Sequence, residues 1–335
     1  MLTYILKRIA YSIFPLFGVS IIGFVLFRVM PGDPALFLVG IGATQQQIDA
    51  VRAAIGENLP LYQQYFIWLK DVLTGNFGTS LYYNQPVTSV ILQRLPATIE
   101  LVIFAVIIAL ILGVGIGVFS ALRENTKGDT IARSFSYIAF GIPDFVWGLI
   151  FILIFGAYLR VLPVSGEIDP FINLHQVTGY MIVDSVVTGN IVALFSVVQH
   201  LILPGLALAL VLTAIIQRTV RSSMIDVLRE DYIVTDRMKG LSERYIVFVR
   251  ALKNAMIPAL TILGVQFTFL MGGSIVIELI FGWPGLGSMI FTAISYKDLP
   301  LVQAVVMFYA LVVVIVNIVV DLLYSYFNPK IRYGR

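Results

Sequence analysis

Residues 97–122, ATIELVIFAVIIALILGVGIGVFSAL, carry a single charge, that of Glu100, and no proline. A bilayer core about 30 Å thick is crossed by roughly 20 apolar residues in one helix, which pairs every backbone N–H and C=O within the segment. The run is long enough to cross. Outward from it, five more apolar stretches of comparable character lie at about 9–29, 134–158, 200–216, 256–280 and 301–327. The whole chain agrees: 59% of its 335 residues are hydrophobic and 12% charged, against roughly a quarter charged in soluble domains. The sequence therefore reads as an all-α polytopic membrane protein with six transmembrane helices, in one domain spanning 1–335.

The first stretch follows Lys7 and Arg8 as a signal peptide would. It is longer than the 7–15 residues of a signal-peptide core and no small-x-small cleavage site follows, so it reads as an uncleaved span. Basic residues set the orientation, because Lys and Arg accumulate in cytoplasmic loops. With the N-terminus inside, the outer side keeps only Arg28, Arg52, Lys70, Arg94, Arg160 and Lys297; the other basic residues fall inside. Both termini are then cytoplasmic. An outer loop covers 31–95, others lie near 159–199 and 281–300, and a long inner loop covers 217–255. In the first outer loop, Leu61, Tyr65, Trp68 and Leu69 share one helical face, which predicts a surface helix on the outer leaflet. The net charge of +3 calls for no nucleic acid.

Catalytic patterns are missing. The chain has no Gly-x4-Gly-Lys-Ser/Thr loop, no His-Glu-x-x-His and no Gly-x-Ser-x-Gly. Without cysteine it has neither disulfides nor thiolate metal ligands, and its two histidines, His175 and His200, are far apart in sequence. Gly113-Val-Gly-Ile-Gly117 lies inside an apolar run with no preceding strand, so it reads as a close helix-packing surface rather than a dinucleotide loop. A self-sufficient transporter or channel is the alternative class, although neither an internal repeat nor a midplane ion site stands out.

The inner loop concentrates charge of both signs in REDYIVTDRMKGLSERY, residues 229–245. Met224, Val227, Val234, Met238 and Leu241 recur at helical spacing, Gly240 suits a left-handed helix end, and Ser242 before Glu243 suits an N-cap. The expected shape is helix, sharp turn, helix. Tyr245, Phe248, Val249, Leu252 and Met256 form a second stripe that would rest on the spans, with Pro258 marking re-entry. Such a loop suits a groove on another protein.

Asp231-Tyr232, Thr235, Lys239-Gly240-Leu241-Ser242, Ala251-Leu252, Asn254-Ala255 and Pro258 resemble the cytoplasmic EAA loop of ABC importer permeases, in its peptide-transporter form. Further matches are Pro31-Gly-Asp-Pro34, Leu95-Pro-Ala-Thr-Ile-Glu-Leu101, Pro163-Val-Ser-Gly166, Thr178-Gly-Tyr-Met-Ile-Val-Asp184, Ile202-Leu-Pro204, Arg221-Ser-Ser-Met224, Phe281-Gly-Trp-Pro-Gly-Leu-Gly287 and Val320-Asp-Leu-Leu-Tyr324 with Asn328-Pro329. The chain is most similar to the first of the two permease subunits of dipeptide and oligopeptide importers. The resemblance implies a non-catalytic subunit of the cell membrane. It also implies a homologous second permease, two cytoplasmic ATPase subunits that bind ATP and Mg, and an extracytoplasmic substrate-binding protein. Asp231, Tyr232, Thr235, Asp236, Lys239, Gly240, Leu241, Ser242 and Glu243 would form the coupling loop. Relatives also carry nickel and oligosaccharide. At Asp236 the family usually has a small residue, so either the partner's cleft accepts a carboxylate or Asp236 points to water.

Four carboxylates sit in or beside the spans: Glu100, Asp144, Glu278 and Asp321. A charge at a helix centre costs about 2.5 to 3.5 kcal/mol on insertion scales. Asp144, just after Gly141-Ile-Pro143, and Glu278, just before the Phe281–Gly287 turn, are the candidates to line the translocation path.

Overall fold

The computed structural model describes residues 2–29, 42, 44–54 and 59–327. Pro31-Gly-Asp-Pro34 and the tail from Asn328 lie outside the described residues, as does the side chain of Asp321. The described residues are helical apart from turns and one isolated bridge between Thr79 and Pro86. In chain order the helices are α1 Leu2–Val29, α2 Gln45–Ala54, α3 Leu61–Leu73, α4 Val87–Leu122, α5 Lys127–Gly141 and α6 Asp144–Phe151, which continues as a π-helical segment, Ile152–Tyr158. Then come α7 Met181–Val187, α8 Ile191–Leu228, α9 Asp231–Met238 and α10 Glu243–Tyr245. A π-helical turn, Ile246–Ala251, leads from α10 into α11 Leu252–Ile280, followed by α12 Leu286–Ser295 and α13 Leu299–Phe327.

All six expected apolar stretches fall on helices. Four helical segments are long and apolar enough to cross a membrane: Val87–Leu122, Ile191–Leu228, Glu243–Gly272 and Leu299–Val319. The stretch at 134–158 is not one straight helix. Its two arms, Lys127–Gly141 and Asp144–Tyr158, meet at 101° and make a fifth span only if taken together. The cause is local. Pro143 disfavours helical backbone in the residue before it, and Ile142 is extended at φ −104°, ψ 128°. Pro143 is itself the residue that precedes α6.

The chain divides into two compact units, Met1–Thr98 with Pro284–Ile318, and Ile99–Trp283 with Val319–Arg335. In the first, Val87, Val90 and Ile91 of α4 pack with Leu286 and Met289 of α12 and Leu301, Ala304 and Val305 of α13. Asp298, fully buried, accepts from the Ser80 hydroxyl and the Tyr82 and Leu301 amides. The helix expected at Leu61–Leu69 forms as α3. Its Tyr65 hydroxyl bonds Ser20 of α1 at 2.7 Å and its ring meets Phe17 and Phe24 edge-on. The predicted apolar face is only partly the buried one, because Gln64 and Tyr65 turn inward while Leu61 and Phe66 are exposed.

The second unit is built around α8, whose Leu201, Leu208, Leu212, Ile216, Val220 and Met224 are buried. The Gly113–Gly117 run packs as expected. A Cβ on Gly113 would stand 2.8 Å from Ile216 and one on Gly117 2.9 Å from Val220, whereas Gly115 faces open space. Only hydrogen at those two positions lets α4 approach α8 so closely.

Candidate functional site

Between α8 and α11 the chain makes the predicted helix, turn and helix. α9 ends at Met238, and Gly240 takes φ +76°, a backbone conformation that costs glycine least. The Leu241 amide donates to the Asp236 carbonyl at 3.2 Å, closing the helix end. Ser242 is the N-cap of α10, its hydroxyl accepting from the Tyr245 amide at 3.4 Å. Glu243 pairs across the turn with Arg237 at 2.8 Å. Thr235 donates to the Asp231 carbonyl, and the Tyr232 hydroxyl accepts from Asn254 at 2.9 Å. Lys239 lies at the C-cap of α9.

Three expectations for this loop are corrected. Asp236 neither points to water nor waits for a partner. It is buried, and Arg250 of the following π-helical turn donates to its Oδ2 at 2.8 Å. Next, the stripe from Met224 to Leu241 does not lie on one helix, because α8 stops at Leu228 and α9 starts at Asp231. Met224 is buried in the bundle whereas Val234 and Met238 are exposed, Met238 at 80%. Last, the stripe expected to rest on the spans is largely the outward one. Tyr245, Phe248 and Val249 are exposed, and Ile246, Val247, Ala251 and Ala255 are buried. A π-helical turn at 246–251 widens the helical repeat locally, so residues after it fall on a different face from that of a uniform 3.6-residue spacing. Together Val234, Met238, Leu241, Tyr245 and Phe248 give the loop an exposed apolar surface on a turn fixed by its own hydrogen bonds.

Of the two candidate path carboxylates, Asp144 lines an open cavity of about 120 Å³ with Leu208, Val211 and Leu212 of α8 and Gln266 and Phe269 of α11. Glu278 has no exposure, and Ser274 one turn earlier donates to its Oε1 at 3.1 Å. The structure does not bring the two together. Histidine likewise stays structural: the His200 ring meets the Ser196 carbonyl at 2.8 Å.

Two further buried carboxylates go unnoticed, or unassigned, in the sequence. Asp129 in the first turn of α5 has no exposed side-chain surface. Arg221 of α8 donates to both its oxygens at 2.7 Å, and Ser120 and the Asn125 amide complete its shell. The Thr126-x-x-Asp129 spacing signals a helix start, and Thr126 is the N-cap; nothing local points to Arg221. Asp184 is also fully buried. It accepts from the amides of Val177, Thr178 and Gly179 and from the Thr178 hydroxyl. Burial pushes its pKa up, but these donors outweigh burial and hold the carboxyl below the ordinary aspartate value. Glu100 accepts from the Met181 and Ile182 amides at the start of α7, at 3.0 and 2.8 Å. These contacts explain the Thr178–Asp184 motif as a loop organised around its last residue.

Two family models match: the binding-protein-dependent transport system inner membrane component over residues 113–333, and the N-terminal region of such membrane components over residues 1–102. This chain belongs to that family. The permease is similar along its length to the dipeptide transport system permease protein of Alkalihalophilus pseudofirmus, at 40% identity over 99% of this chain and 100% of the relative. It is 39% identical to the di/tripeptide permease protein of Pseudomonas aeruginosa, covering all of both chains. It is 36% identical to the glutathione permease protein of Escherichia coli K12, over 99% of this chain and 100% of that one. Among solved structures, an inward-facing methionine ABC transporter superposes with a TM-score of 0.53 at 13% identity, covering 69% of this permease and 93% of that chain. That likeness supports the permease fold. The permease is thus a multi-pass component of the cell membrane.

Proposed function

We propose that this permease forms half of the translocation path of an ATP-driven importer of short peptides. The observation that carries the reading is the end-to-end similarity to dipeptide permeases. In the proposal α1 joins the five spans above to make six, with both termini in the cytoplasm. A homologous permease supplies the other half of the path, a binding protein outside delivers cargo, and two ATPase subunits bind ATP and Mg inside. The exposed surface from Val234 to Phe248 sits in a cleft of one ATPase. The turn at Gly240 passes closure of that cleft to α8 and α11, between which the loop is strung. ATP then favours whichever permease state the closed ATPases bind better.

In proteoliposomes holding the complete transporter, ATP and binding protein should drive dipeptide import, and no import under those conditions overturns the reading. The coupling role is tested by Gly240→Val. A Cβ there meets open space within the chain, so the backbone strain is about 1 kcal/mol and the fold survives. Import and cargo-stimulated ATP hydrolysis should fall together; a variant that assembles and imports at the normal rate removes the loop from coupling. Topology is tested by single cysteines in this cysteine-free chain. An impermeant thiol reagent added outside should label positions 52 and 169 but not 127 and 243, and labelling at 243 would reverse the model.

A further inference from the structure

We propose that the cavity at the break between α5 and α6 is a subsite for a cationic group of the cargo, and that Asp144 is the residue that meets it. The inference rests on the importer reading above and adds which chemical feature of the cargo the permease itself recognises.

The first argument is a contrast in satisfaction. Glu100 is met by two backbone amides, Asp184 by three amides and a hydroxyl, Asp129 by a two-pronged guanidinium, and Asp236 by Arg250. Asp144 accepts from the amide of its neighbour Phe145 at 2.7 Å and has no side-chain donor among the described residues. The closest basic side chain along the α8 face, Arg218, is occupied elsewhere, its guanidinium lying over the Phe140 ring at 5.2 Å. A carboxylate beside Leu208, Val211, Leu212 and Phe269 is poorly solvated by its walls. Its counter-charge must come from outside the chain.

Size and lining narrow what fits. About 120 Å³ is well below the roughly 300–1,000 Å³ of pockets that enclose a whole small ligand. It is room for a few waters, at about 30 Å³ each, or for one ammonium or guanidinium head. Gln266, across the cavity on α11, offers a carboxamide that both donates and accepts, which suits a peptide group next to that cation. The cavity exists because Pro143 breaks the helix and starts α6 at Asp144. It is also placed to respond to the cytoplasmic side: two of its three walls, α8 and α11, are the helices joined by the 217–255 loop.

The test uses the complete reconstituted transporter and a binding protein saturated in turn with an alanyl-lysine and an alanyl-glutamate dipeptide. Asp144→Asn keeps the oxygen that accepts from Phe145 and removes the charge. The loss of one charge-assisted hydrogen bond predicts that ATP-driven import of the lysyl peptide falls about tenfold more than import of the glutamyl peptide. Asp144→Glu should restore the wild-type ratio, and thermal stability should be the same in all three proteins. Equal losses for both peptides, no loss for either, or a destabilised Asp144→Asn protein that Asp144→Glu does not rescue overturns the subsite. A wild-type transporter that imports neither peptide overturns the importer reading instead.

Discussion

The two ends of α5 carry aspartates with opposite fates. Where α5 begins, Asp129 is sealed from solvent and held by Arg221, Ser120 and the Asn125 amide, with Arg133 a further 3.5 Å away. Just past its end, Asp144 opens onto a cavity with one backbone amide as its partner. The residue type is the same and the apolar surroundings are similar. What differs is whether the chain provides the counter-charge. The difference separates charge that fixes helices to one another from charge left available to something that passes by.

The comparison can be broken at its strongest point. Asp129→Ala leaves the Arg221 guanidinium, 18% exposed, without its carboxylate, and removing one partner of a buried pair costs about 3–5 kcal/mol. The detergent-solubilised transporter should lose its thermal transition or show it at a far lower temperature. Asp144→Asn should leave that transition in place. If the two variants are equally stable, the distinction between the two ends of α5 is false.

A smaller effect is expected from acid. Asp184 resembles Asp129 in being satisfied by the chain, with a folded-state pKa below its ordinary value of 3.8. The bonds to the ionised form therefore stabilise fully above the unfolded value. That contribution is lost as pH falls below about 4 through the folded pKa. The melting temperature of the wild-type protein should drop over that window by a few degrees for each kcal/mol lost. Asp184→Asn should be less stable at neutral pH and should flatten the acid dependence. An unchanged acid slope in the variant would show that another group governs it.

Much of the architecture is legible in the sequence because the bilayer imposes so coarse a rule. Runs as apolar as 97–122 can only be helices, and each expected stretch lies on one. The Gly240–Ser242 turn is equally readable, since left-handed backbone and N-capping have strong local preferences. The misreadings have physical causes of another kind. Ile142-Pro143 breaks a stretch whose composition is continuous, so hydropathy alone counts it as one span. The π-helical turn at 246–251 shifts which side chains face inward, and a fixed helical period cannot anticipate that. Partners distant in sequence leave no local trace: Asp129 and Arg221 are 92 residues apart. Asp236 was unreadable for a simpler reason, that Arg250 looks like any other basic residue of a cytoplasmic loop.

The two glycine contacts between α4 and α8 also have a mechanical consequence. α8 is one helix of 38 residues, roughly 57 Å long at 1.5 Å per residue. It touches α4 most tightly at Ile216 and Val220, near one end. If that contact acts as a fulcrum, the arm toward Leu228 and the coupling loop is about 15 Å and the arm toward Ile191 about 40 Å. A rigid rod so mounted magnifies displacement: a 2 Å push at the loop becomes roughly 5 Å at the far end, at proportionally reduced force. A bulky side chain at position 113 or 117 would then do more than loosen packing. It would move the pivot.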